Sequence, residues 1–129
     1  MLADADTEQA SRAIVYGAFI NSGQVCVSTE RVIVQRPAAE SLLASLRQLV
    51  QKLDAGDPKD AALSAVFSDG SAENILNLIK DAKASGAELL AGDGVRNGAL
   101  LQPHVISNVH PGMKIWKQET FGPGAQLGL

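Results

Sequence analysis

The stretch 21-NSGQVCVSTERVIV-34 holds the only cysteine of the 129-residue chain, and it changes character twice. Asn21-Ser22-Gly23 is turn chemistry, with a glycine able to take a left-handed exit from a preceding helix. Arg31 to Gln35 is short and rich in β-branched residues, which reads as a strand. Cys26 lies between the two. The order helix, tight turn, cysteine, strand is therefore written into one short segment. It begins an alternation that continues along the chain.

Upstream, Asp6 is placed to cap a helix with Gln9 in the capping-box position. Ala10, Ala13, Ile14 and Gly17 recur at helical spacing, predicting a helix over about 7–20. Downstream, Pro37 suits the first turn of a second helix. Its apolar face is Leu42, Leu46, Leu49, Val50 and Leu53. Residues 55-AGDPKD-60 form a loop in which Pro58 pushes Asp57 to an extended conformation. A third helix is predicted from about Ser71, with the stripe Ile75, Leu78, Ile79 and Ala82, ending at Gly86. Then 87-AELLAG-92 and 103-PHVISNV-109 read as buried strands, and 125-AQLGL-129 as a last strand. The segment 92-GDGVRNG-98 has the wrong spacing for a dinucleotide fingerprint and reads as a plain turn. The alternation predicts an α/β fold: three layers, a mainly parallel sheet with helices on its faces.

The composition narrows the function classes. Hydrophobic residues make up 46% of the chain, as in a globular protein with a core of its own. The length predicts a single domain, 1–129. The net charge is −3 and the eleven basic residues are scattered, so no nucleic-acid partner is expected. The longest apolar run, Ala13 to Ile20, is too short for a bilayer, and no membrane partner is expected. Acids stand in 1-MLADADTEQ-9 where a targeting peptide has bases. One cysteine forms no internal disulfide, and the expected location is cytoplasmic.

Two readings of Cys26 compete. A free cysteine is often a small buried hydrophobe, and such a thiol is inert. A cysteine on a Gly-Gln turn beside rigid elements can instead point its sulfur outward, with its own N–H free to meet an oxyanion. A nucleophilic thiol also needs activation. His104 and His110 read as ordinary strand and loop histidines. Glu30, four residues on, is not brought to the sulfur by strand alternation. One cysteine and two histidines match no zinc spacing, so no metal is expected. Tyr16, Phe19, Phe67 and Trp116 are candidate pocket walls, although each residue type is more often found in a core.

The stretch 17-GAFINSGQVCVSTERVIV-34 resembles the active-site cysteine segment of the NAD(P)-dependent aldehyde dehydrogenase superfamily. It is most similar to members that oxidise aromatic aldehydes such as salicylaldehyde and vanillin. Further segments resemble the family in the same order: 2-LADADTEQA-10, 53-LDAGDP-58, 79-IKDAKASGAELLAG-92 and 100-LLQPHVISNVHPGMKIWKQETFGP-123. The resemblance implies that Cys26 is the nucleophile toward an aldehyde carbonyl and that its amide is half of an oxyanion hole. It implies that Glu119 hydrogen-bonds the nicotinamide ribose and that Phe121 packs beside it, both as family carry-overs expected to be vestigial here. Gly122 and Pro123 complete that motif, while Gln118 and Gly124 depart from it.

The family's dinucleotide-binding domain, its oxyanion-hole asparagine, its ribose-contacting lysine and its general-base glutamate have no match in these residues. The chain thus reads as a truncated middle part of the catalytic domain, and three functions are expected in turn. The first is cofactor-free carbonyl or activated-alkene chemistry at Cys26, with no cofactor for the chain alone: isomerisation, cyclisation, hydrolysis or a C–C bond step. The second is an aldehyde dehydrogenase piece, using NAD(P) once complemented by the missing domain. The third is a non-catalytic assembly or regulatory module. A small-molecule carbonyl substrate and a homo-oligomer are the expected partners.

Overall fold

The structure is a computed structural model, and it describes residues 1–128. The first helix, α1 (Thr7–Phe19), is capped as the sequence predicts: the Asp6 carboxylate accepts from the Gln9 N–H at 3.0 Å. Its inner face differs from the predicted stripe. Ser11, Ala18 and Phe19 are buried, while Ala13 is exposed. The polar Ser11 is accommodated because its hydroxyl meets Ser45 on the neighbouring helix at 2.7 Å. A 3-10 turn (Ile20–Gly23) follows, in which Asn21, Ser22 and Gly23 all have positive φ.

The chain then enters β1 (Arg31–Ile33) and α2 (Arg36–Val50). Pro37 stands in the first turn of α2, and Leu42, Leu46 and Val50 are buried as the spacing predicts. The third helix, α3 (Asp69–Ala84), starts two residues before the predicted point because the Ser68 hydroxyl caps the Ser71 N–H. Its stripe of Ile75, Leu78, Ile79 and Ala82 is buried.

Next come β2 (Glu88–Ala91), β3 (Arg96–Asn97), β4 (Leu100–Leu101), β5 (His104–Ser107), the short α4 (Lys114–Lys117) and β6 (Gly124–Gly128). The predicted last strand is therefore present, with Leu129 outside the described residues. The turn predicted over 92–98 is in part a small hairpin, β3 pairing antiparallel with β4. Two-residue strands leave too short an alternation to be read from sequence.

The main sheet has the order β1-β6-β5-β2. The pairs β1–β6 and β6–β5 are parallel, and β2 joins β5 antiparallel. The expectation of a buried β2 is corrected here. It is a half-exposed edge strand, so only one of its sides has a neighbour. Residues alternate across the sheet to build two cores. Val32, Val105, Ala125 and Leu127 pack with α1 and α2. Ile106 packs with α3 and with Ile115 of α4. This is the predicted three-layer, mainly parallel α/β arrangement.

Candidate active site

Cys26 sits on the loop between the 3-10 turn and β1, and it is exposed. The loop is tied down on its amino side. The Ser22 hydroxyl donates to the Ser64 carbonyl at 2.8 Å and accepts from the Ser64 N–H at 3.0 Å. The Gln24 side chain accepts from the Phe67 N–H at 2.8 Å. The Cys26 N–H itself donates to no group among the described residues. An exposed thiol beside a free amide removes the buried, inert reading of this cysteine.

Glu119 precedes β6 on a loop that folds back beside Cys26. Both line a polar cavity of about 300 Å³, with Glu30, Arg31, Trp116 and Gln126 among its other walls. Glu119 also lines a second hollow, of about 400 Å³, with Gln24, Phe67, Ser71, Asn74 and Phe121. All three residues carried over by resemblance, Cys26, Glu119 and Phe121, thus fall around two adjoining hollows. These lie at the amino ends of the parallel strands β1 and β6. Phe121 has φ +49 and its ring is partly exposed.

Sequence reasoning weighed Glu30 only as a partner for the thiol and set it aside, without seeing its place in the site. It does not bond the thiol, but it shares the cavity with Cys26, and its carboxylate accepts from Thr120 and Phe121 across the sheet. Its only sequence signal was an acid at the foot of a β-branched strand, and nothing local says that residue 120 lies opposite. Arg31, another wall of that cavity, is held there: it donates to the Trp116 carbonyl at 2.8 Å and stands 5.6 Å over the indole ring.

The other candidates are dispersed. Trp116 is a wall of the Cys26 cavity and Phe67, almost fully exposed, a wall of the second hollow. Tyr16, also exposed, and Phe19, buried, line a separate apolar hollow between α1 and the end of α2. Neither histidine reaches the site. His104 is fully buried on β5, where its Nε2 accepts from the Gly94 N–H at 3.2 Å. Burial pushes its pKa below the usual imidazole value, with Asp93 partly opposing that shift. His110 is exposed and accepts from the Gly112 N–H through Nδ1.

Fold and site together define an α/β segment in which an exposed thiol and two carboxylates line one polar cavity. The family model described as "Aldehyde dehydrogenase family" matches residues 1–126, and the chain belongs to that family. A vanillin dehydrogenase from Pseudomonas fluorescens is 41% identical over 127 residues, which are 97% of this chain and 26% of that protein. A salicylaldehyde dehydrogenase from Pseudomonas sp. (strain C18) is 39% identical, over 95% of this chain and 26% of that protein. Among solved structures, an NADP-dependent glyceraldehyde-3-phosphate dehydrogenase from Bacillus halodurans C-125, complexed with NADP, superimposes with a TM-score of 0.93. It is 40% identical and is matched over 98% of this chain and 27% of its own. The chain thus spans about a quarter of the length of these relatives. No helix among the described residues is long and apolar enough to cross a membrane.

Proposed function

We propose that this chain forms the nucleophile-bearing part of an NAD(P)-dependent aldehyde dehydrogenase that converts an aldehyde to a carboxylic acid. The observation that carries the reading is the shared cavity of Cys26 and Glu119, two residues 93 positions apart in sequence. The relatives are named as dehydrogenases of aldehydes, which favours this reading over cofactor-free chemistry. The two aromatic-aldehyde relatives favour an aromatic aldehyde as substrate.

In this reading the Cys26 sulfur adds to the aldehyde carbon, forming the C–S bond as the carbonyl π pair moves to oxygen. The free Cys26 N–H donates to that developing oxyanion. The thiol proton leaves to a base that residues 1–129 do not match in the family pattern. NAD(P), when bound, supplies the acceptor for the hydride that leaves the adduct and yields a thioester, which water hydrolyses.

The hollow beside Glu119 fits the nicotinamide riboside end of that cofactor. The Glu119 carboxylate can accept from ribose hydroxyls, and Phe121 and Phe67 offer apolar faces. No lysine or arginine lines it, so the diphosphate would find no partner there. We therefore treat these residues as one segment of the catalytic domain, with the groups that would hold the diphosphate lying outside residues 1–129. A free catalytic thiol suits the reducing cytoplasm. Self-association to a homo-oligomer belongs to the same proposal, and a sharply monomeric sedimentation profile would count against it.

The test is a chimaera. Residues 1–126 replace the matched quarter of the Pseudomonas fluorescens vanillin dehydrogenase, and NADH formation is followed at 340 nm with vanillin. Turnover that disappears in Cys26→Ala is expected. A folded chimaera without turnover, or a Cys26→Ala form that keeps it, overturns the reading.

A further inference from the structure

Glu30 is the one carboxylate of the site whose partners are neutral backbone and hydroxyl donors. Both of its oxygens accept from the Thr120 N–H, at 3.1 and 3.2 Å. Both accept from the Thr120 hydroxyl at 2.9 Å. One accepts from the Phe121 N–H at 3.0 Å, and the other from the Gln126 side-chain amide at 3.4 Å. No ion pair involves Glu30 among the described residues. A carboxylate that converges several donors from a neighbouring segment fixes that segment's geometry.

The segment it fixes needs holding. Phe121 has φ +49, in the left-handed region that a bulky side chain rarely adopts, and such strain persists only where the surroundings over-determine it. Relaxation of Phe121 would redirect the chain on its amino side, and Glu119 is two residues before it. The Glu30 backbone carbonyl meanwhile accepts from the Gln126 N–H at 2.9 Å, which anchors the carboxylate to the parallel sheet.

We propose that Glu30 is a positioning residue. It clamps the Thr120-Phe121 backbone in its strained conformation and so keeps Glu119 and Phe121 in place around the second hollow, which shares Glu119 with the Cys26 cavity. The importance of that placement for the cofactor rests on the function proposed above; the clamp itself does not.

The experiment is amide hydrogen exchange by NMR on the full 129-residue chain, with nicotinamide mononucleotide titrated in parallel. Glu30→Ala should speed exchange at the Thr120 and Phe121 amides by about 100-fold or more, since several charge-assisted hydrogen bonds are lost together. The amides of Leu46 in α2 and Ile79 in α3 should be unchanged. Glu30→Gln keeps the side-chain volume and one acceptor oxygen, so a smaller rise at the same two amides is expected. It also serves if the alanine variant does not fold. Unchanged exchange at Thr120 and Phe121, or a rise matched by Leu46 and Ile79, overturns the clamp. If exchange rises locally while the mononucleotide leaves the Gln24, Glu119 and Phe121 resonances of the unaltered chain unmoved, the clamp stands and the cofactor reading fails.

Discussion

Gly23→Ala tests whether the Cys26 loop and the Glu119 loop are packed backbone to backbone. Gly23 has φ +72, and a Cβ built there would run into the Gly122 carbonyl oxygen, with the Gly122 carbonyl carbon and the Ala18 oxygen also crowded. Two costs add. The left-handed backbone costs an alanine about 1–2 kcal/mol. Displacing a carbonyl that belongs to the chain just before β6 costs about 1–3 kcal/mol more, as overpacking does. The expected loss is about 2–5 kcal/mol.

Gly94 is the matched control. Its φ is +70, and no atom lies within 4 Å of where its Cβ would stand. Gly94→Ala therefore carries the backbone cost alone, about 1–2 kcal/mol. Urea unfolding followed by circular dichroism reads both. With a slope of about 2 kcal/mol/M, Gly23→Ala should lower the midpoint by about 1–2.5 M and Gly94→Ala by about 0.5–1 M. If the two variants lose the same stability, the close approach of Gly23 to Gly122 is refuted, and with it the packing that brings Cys26 beside Glu119.

Two further outcomes are expected. Burial holds the folded-state pKa of His104 below 6.5, so the unfolded chain binds the proton more readily. His104 thus weakens the fold as pH falls below about 6.5, with a slope of up to about 1.4 kcal/mol per pH unit, until the folded-state pKa is passed. Unfolding free energies measured from pH 7.5 to 5 should show that decline and lose it in His104→Gln; an unchanged profile in the variant would assign the decline to other groups. Cys26 is exposed, so iodoacetamide should label the folded chain within about tenfold of the rate for the urea-unfolded chain at the same pH. Labelling that appears only on unfolding, read by intact mass, would put the thiol back among inert buried cysteines.

The class of fold was legible in the sequence because it rests on local periodicity. Leu42, Leu46 and Val50 face one core and Ile75, Leu78 and Ile79 the other, as their spacing requires. The turn at 21–23 and the Asp6 cap depend on residues within a few positions of one another, so they too could be read directly. Cys26, Glu119 and Phe121 were found as candidates through the family pattern around them, and their chemistry comes with the residue types.

What the sequence alone left open is what depends on long-range pairing. The exposed edge position of β2 follows from sheet order, and an apolar run such as Leu89-Leu90 carries no mark of which neighbour it will have. The clamp from Glu30 to Thr120 and Phe121 spans 90 and 91 positions, and it forms because the parallel pairing of β1 with β6 sets Arg31 opposite Gln126. The exposure of Cys26 was likewise decided in the tertiary structure, since the same Gly-Gln turn folded inward would have buried it. Residue type and local spacing determine which groups are available and which elements form. The register of the sheet decides that Glu30 meets Thr120 and Phe121, and the packing of helices and loops decides the other distant pairs, such as Ser22 with Ser64.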